Sequence, residues 1–78
     1  MPHIVVKVVP GKSEDQKKHL AELITKDVLA AFGSNEQAVS VAIEEVKPED
    51  WTEQVYKPDI HAKWDTVYKK PGYNPLEK

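Results

Sequence analysis

The chain has no cysteine, so neither a disulfide nor a thiolate zinc site can stabilise it. It has no apolar run near the roughly 20 residues that a membrane-spanning helix needs. A basic leader is also missing, and His3 and Lys7 interrupt the apolar start, so the N-terminus does not read as a signal peptide. Charge of one sign is not in excess. A net charge of −2 with 31% charged residues offers no electrostatic footprint for nucleic acid or an anionic membrane surface. There is no internal repeat, low-complexity tract, Gly-rich phosphate loop or Ser/His/Asp motif. The expectation is a cytoplasmic protein with one domain over residues 1–78. A chain of this size buries only about 60% of its unfolded surface, so alone it is marginal. With disulfides and thiolate zinc sites excluded, self-association is the remaining common route to stability.

What the chain does have is concentrated at its start, Met1-Pro2-His3-Ile4-Val5-Val6-Lys7-Val8-Val9. Pro2 is small, so processing is expected to remove Met1 and leave a secondary amine. While Met1 remains, the Pro2 nitrogen is an amide whose lone pair is delocalised and not basic. Once released, it is an α-amine, a class that titrates near about 7.7–8.0 in model peptides. An apolar wall and a nearby cation would lower that value, giving a general base without a catalytic side chain.

Residues Pro2–Val9 are rich in β-branched side chains and read as a strand. Pro2, Ile4, Val6 and Val8 form an apolar face, and the other face is mixed, which suggests a strand covered on both sides. Pro10-Gly11 ends it. Ser13-Glu14-Asp15-Gln16 is a capping box, predicting a helix from Glu14 to about Phe32. Leu20, Leu23, Ile24, Val28, Ala31 and Phe32 form its expected core stripe, while Lys17, Lys18, Glu22 and Lys26 read as a solvated surface. Gly33 sits where a left-handed C-cap is wanted. A second strand is expected over Ala38–Val46, making a βαβ unit with parallel strands. Two strands under one helix leave open edges, so the sheet must continue into, or pack upon, another copy.

After a turn at Lys47–Trp51, a turn or two of helix is expected over Trp51–Tyr56. Pro58 then pushes Lys57 out of helical geometry and starts a new helix. Ile60, Trp64, Val67 and Tyr68 would be the apolar stripe of that helix, which Pro71-Gly72 stops. Tyr73–Lys78 is a tail without a readable period. His61 and Asp65 stand four residues apart and read as a surface pair; no metal is assigned.

Several of these pieces together carry a family likeness. They are Met1-Pro2 before a strand, Gly11-Lys12-Ser13-Glu14-Asp15-Gln16-Lys17 at the helix entrance, and the strand Val39–Val46. The Trp51 region and Lys69-Lys70-Pro71-Gly72-Tyr73 complete the set. Over nearly its whole length the chain resembles the 4-oxalocrotonate tautomerase family, and its PptA-type branch in particular.

The resemblance implies an α+β fold in which βαβ protomers pair into a four-stranded sheet, here with short C-terminal helices, in dimers or larger assemblies, with a homodimer expected for this chain. It implies cofactor-independent enol–keto isomerisation of a 2-oxo acid, with Pro2 moving the proton. Lys12 stands where the family usually has a carboxylate-binding arginine, keeping the charge without the bidentate fork. Ser40 stands where a second arginine polarises the substrate carbonyl in a neighbouring subunit's site, so that cation is lost. Trp51 matches an apolar aromatic of the pocket wall, and core or interface packing is an equal reading of it. One lysine and a serine point away from a dicarboxylate and toward a monocarboxylate enol such as phenylenolpyruvate. Two alternatives stand beside this. One is hydrolytic dehalogenation or decarboxylation with a protonated Pro2; the other is a non-catalytic oligomeric binding module.

Overall fold

A computed structural model describes residues 1–77. Lys78, the last residue of the expected tail, lies outside the described residues. The chain divides into two compact units, Met1–Glu45 and a second that starts at Val46.

The first unit is the expected βαβ arrangement. Strand β1 (His3–Val8) runs parallel to strand β2 (Ser40–Glu45), and helix α1 (Glu14–Phe32) connects them. The helix start follows its sequence signature. Gln16 N–H donates to Ser13 Oγ (3.1 Å), and Ser13 N–H donates to Gln16 Oε1 (2.9 Å). Two donors that the first turn would leave without partners are thereby satisfied. At the other end Gly33 adopts φ 67° and donates its N–H to Leu29 C=O (3.0 Å). A side chain at that position would be strained in the left-handed region. Asn35 then caps a 3-10 turn (Glu36–Ala38) through its side-chain oxygen, which accepts from Ala38 N–H (3.1 Å). That turn takes up Ala38, first read as the start of β2.

The register pairs His3 with Ser40, Ile4 with Val41, Val5 with Ala42 and Val6 with Ile43. Paired residues in a parallel ladder share a face, because side chains alternate along each strand. Val41 and Ile43 line grooves with side chains of α1, so Ile4 and Val6 share the helix side. His3, Val5 and Lys7 project from the opposite face, beside Ser40, Ala42 and Glu44.

The helix stripe differs from its expected form. Ile24 and Val28 are half-buried with Ala21, Thr25 and Leu29, but Leu20 and Leu23 remain 39% and 44% exposed, and Phe32 is more open still. A sheet of two strands is too narrow to cover the full apolar arc of a helix. Lys17, read from sequence as surface, is instead largely covered. Its ammonium bridges Glu45 at the end of β2 (2.9 Å) and Glu14 (3.3 Å).

The second unit begins with a short helix, α2 (Pro48–Trp51), with Pro48 at its first turn. The chain continues without a break into a π-helical segment (Thr52–His61) that closes with Ala62 N–H donating to Lys57 C=O (2.9 Å). This corrects the expectation of an interruption at Lys57. In an α-helix the Pro58 ring would meet the carbonyl four residues back. The wider winding, with bonds five residues back, moves that carbonyl aside and lets Pro58 sit inside the helix. Val55 and Tyr56, on this segment, are 5% and 2% exposed.

The expected last helix is not formed. The chain makes only a 3-10 turn (Trp64–Thr66), Val67 is extended and Tyr68 is fully exposed. Thr66 helps to stop the winding, since its hydroxyl donates to Lys63 C=O (2.7 Å). The Lys70 ammonium lies 5.1 Å from the Trp64 ring centroid, a cation–π contact that takes the place of helical packing for Trp64.

Candidate active site

Pro2 stands at the mouth of the parallel sheet. Its carbonyl accepts the Ser40 N–H (3.2 Å), which pins it to the start of β2. Pro2 is half-buried, whereas Met1 is fully exposed. The candidate residue is therefore held by the ladder through its carbonyl, while Met1, which masks its nitrogen, projects into solvent. With Met1 attached, that nitrogen is an amide and cannot act as a base.

The next residue carries a polar contact on the sheet face turned away from α1. His3 Nδ1 lies 2.6 Å from Ser40 Oγ, and the two residues are register partners. Sequence reasoning did not join His3 to Ser40. The pair depends on which residue of β2 stands opposite His3, and alternation within each strand does not supply that register.

Lys12 lies at the opposite end of β1. It borders a cleft of about 200 Å³ with Val8, Gln16, Lys17, Leu20 and Ile43. The cleft mixes apolar walls with a cation that has no ion-pair partner among the described residues, Lys12 itself. The other cation, Lys17, is engaged by Glu45 and Glu14. The Glu45 contact, then Glu14, holds the Lys17 pKa above the ordinary lysine value of 10.5, so it stays charged. Lys12 also precedes the N-terminus of a 19-residue helix, whose dipole favours an anion there.

Six residue steps separate Pro2 from Val8, so the two ends of β1 are about 20 Å apart at the usual rise per residue. One chain therefore does not bring Pro2 and Lys12 together around a small substrate. This separation was calculable from the strand length, but the sequence reading had grouped the residues by family likeness instead.

Trp51 belongs to the second unit. Its indole N–H donates to the Tyr73 hydroxyl (2.8 Å), and the Tyr73 ring packs against Tyr56 at 5.6 Å and 50°. An indole N–H that is partly buried needs such a partner. Tyr56 and Tyr73 are thus the residues that fix Trp51, and the sequence gave no period that linked them. His61 and Asp65 no longer share a helix face, since one ends the π-helical segment and the other lies in the 3-10 turn. Among the described residues, no group of three or more His, Cys, Asp or Glu side chains converges as a metal site would.

Comparison with known proteins sets this parallel βαβ protomer, with proline at the head of its first strand, among the tautomerases. Residues 2–55 match the family model described as "Tautomerase enzyme". Tautomerase PptA of Pectobacterium atrosepticum is 45% identical, over 95% of this chain and 99% of its own. Tautomerase PptA of Cronobacter sakazakii is 42% identical, over 94% and 97%. Among solved structures, TomN, a 4-oxalocrotonate tautomerase homologue in the tomaymycin biosynthetic pathway, is similar with a TM-score of 0.62. It is 34% identical, and the match covers 64% of this chain and 77% of TomN. The chain belongs to the tautomerase family and is, with that family, an isomerase.

Proposed function

We propose that the chain, once Met1 is removed, is a cofactor-independent tautomerase that uses the Pro2 amine as its general base. The substrate class is a 2-oxo acid enol with one carboxylate and an aromatic group, phenylenolpyruvate being the model compound. The observation that carries this reading is the placement of Pro2. Its carbonyl is fastened to Ser40 N–H while Met1 projects into solvent, so removal of Met1 would leave a fixed amine at the mouth of the sheet. Neutral Pro2 takes the enol hydroxyl proton and returns a proton to the neighbouring carbon.

Lys12 binds the carboxylate as a point charge. Because about 20 Å of strand separates it from Pro2 in one chain, it comes to the site from a second copy. The working form is therefore a homodimer of a single tautomerase-like domain over residues 1–78. Trp51, held by Tyr73, provides an aromatic wall for the substrate ring. A single lysine matches one carboxylate, which supports a monocarboxylate over a dicarboxylate.

The test is ultraviolet loss of phenylenolpyruvate with protein whose mass shows that Met1 is absent. Turnover is expected, with a fall of about 100-fold or more for Pro2→Ala, in line with the loss of a general base. Lys12→Ala should raise KM more than it lowers kcat. Mixing the Pro2→Ala and Lys12→Ala proteins should restore turnover above either alone, since one site of each mixed dimer has both groups. No turnover of several 2-oxo acid enols by processed protein overturns the reading, as does full activity in Pro2→Ala.

A further inference from the structure

The proposed reaction leaves one charge without a partner. When Pro2 takes the enol hydroxyl proton, the O–H bond breaks, an N–H bond forms and an electron pair stays on oxygen. That pair then reforms the carbonyl as the neighbouring carbon takes the proton from Pro2. No arginine occurs anywhere in the chain, so no guanidinium can stabilise the oxygen. Lys12 is committed to the carboxylate and lies at the other end of its own strand.

We propose that His3 and Ser40 stabilise this oxygen, with the His3 Nε2–H as hydrogen-bond donor and Ser40 as the residue that positions it. The inference rests on the functional reading above. His3 follows Pro2 directly, and the register sets Ser40 opposite it. Ser40 holds the N-terminal segment twice. Its N–H donates to Pro2 C=O (3.2 Å), and its hydroxyl meets His3 Nδ1 (2.6 Å). One residue of β2 thus fixes both the backbone of the base and the ring beside it.

In this proposal the serine hydroxyl donates to Nδ1, which leaves the neutral imidazole proton on Nε2, because the partner of one ring nitrogen determines the state of the other. His3 is exposed, and its Nε2 has no hydrogen-bond partner among the described residues, so it can meet a ligand. The His3 proton stays on nitrogen throughout, so the step needs no further acid, oxidant or co-reactant. A donor held in place by Ser40 contributes more than one that must reorganise.

The experiment uses processed full-length protein, phenylenolpyruvate and four variants. His3→Ala should lower kcat by about 100–1000-fold, as removal of an oxyanion donor does, with little change in KM. Ser40→Ala leaves the backbone bond to Pro2 intact and should lower kcat about tenfold, the scale of one hydrogen bond. Ser40→Thr keeps the hydroxyl and should restore the rate. The double variant His3→Ala/Ser40→Ala should be no slower than His3→Ala, because Ser40 acts through the ring. Nitrogen-15 NMR should show His3 as the Nε2–H tautomer, with that preference lost in Ser40→Ala. If His3→Ala keeps a rate within twofold of the parent, or the two single losses multiply, the inference fails while Pro2-dependent turnover upholds the functional reading. If the parent protein is inert, the functional reading fails, and the assigned catalytic role of the pair fails with it. NMR then decides the structural half: a tautomer indifferent to Ser40→Ala also overturns the positioning role.

Discussion

The two units of this chain reverse the usual link between regular structure and burial. The first has a complete capping box, a glycine C-cap and a ladder in register, yet none of its side chains is fully buried. The second winds irregularly around Pro58 and holds the two residues that are buried among those described, Val55 and Tyr56. Local hydrogen bonding can specify a strand and a helix without supplying a core. The first unit leaves an apolar flank of α1 open, while the second unit keeps its own small centre of packing.

The sharpest way to break this comparison is to charge the open flank of α1. Leu20→Lys/Leu23→Lys should abolish self-association in sedimentation experiments, and turnover with it, because buried unpaired ammonium groups are costly. An unchanged assembled mass would place the contact between copies elsewhere. Next in size is Tyr56→Ala, which should cost about 3 kcal/mol or more in urea unfolding, as large-to-small changes at aromatic core positions do. A loss under 1 kcal/mol would deny the second unit its packing centre. Ser13→Ala should cost about 1 kcal/mol through the lost cap. Gly33→Ala should cost about 1–2 kcal/mol for the left-handed backbone. Both helix-end changes are smaller than the Tyr56 effect, in keeping with ends that shape the first unit without forming its core.

The smallest expected effect is confined to alkaline pH. The Lys17 pKa is raised, by Glu45 first and then Glu14. A raised lysine pKa contributes stability that is fully present below the unfolded value, about 10.4, and is lost as pH rises through the higher folded value. Lys17→Met should therefore remove part of the fall in stability above that pH and leave the slope near neutrality unchanged. Urea midpoints measured from pH 7 to 11.5 check this, and identical alkaline slopes would contradict it.

Much of the first unit was legible because short-range chemistry determines it. Ser13 and Gln16 need only each other, and Gly33 needs only its own backbone freedom. What sequence could not supply were facts that span the chain. The His3–Ser40 contact needs a register, and the covered state of Lys17 needs the position of Glu45. In the second unit, Pro58 was read as a helix start, because α-helical sterics were assumed where a wider winding removes the clash. The Ile60, Trp64, Val67 and Tyr68 spacing had a helical period, but with the chain out of helix by Val67 the pattern has no element to describe. For the site, family likeness singled out Pro2, Lys12 and Trp51. Strand geometry then separates the first two within one chain, which makes the second copy part of the proposed chemistry.

The most direct measurement compares two preparations that differ by one residue. The chain is synthesised with and without Met1, each mass is verified, and both are assayed on phenylenolpyruvate at equal concentration. The account predicts turnover only when the proline nitrogen is an amine. Equal rates from the two preparations would contradict it.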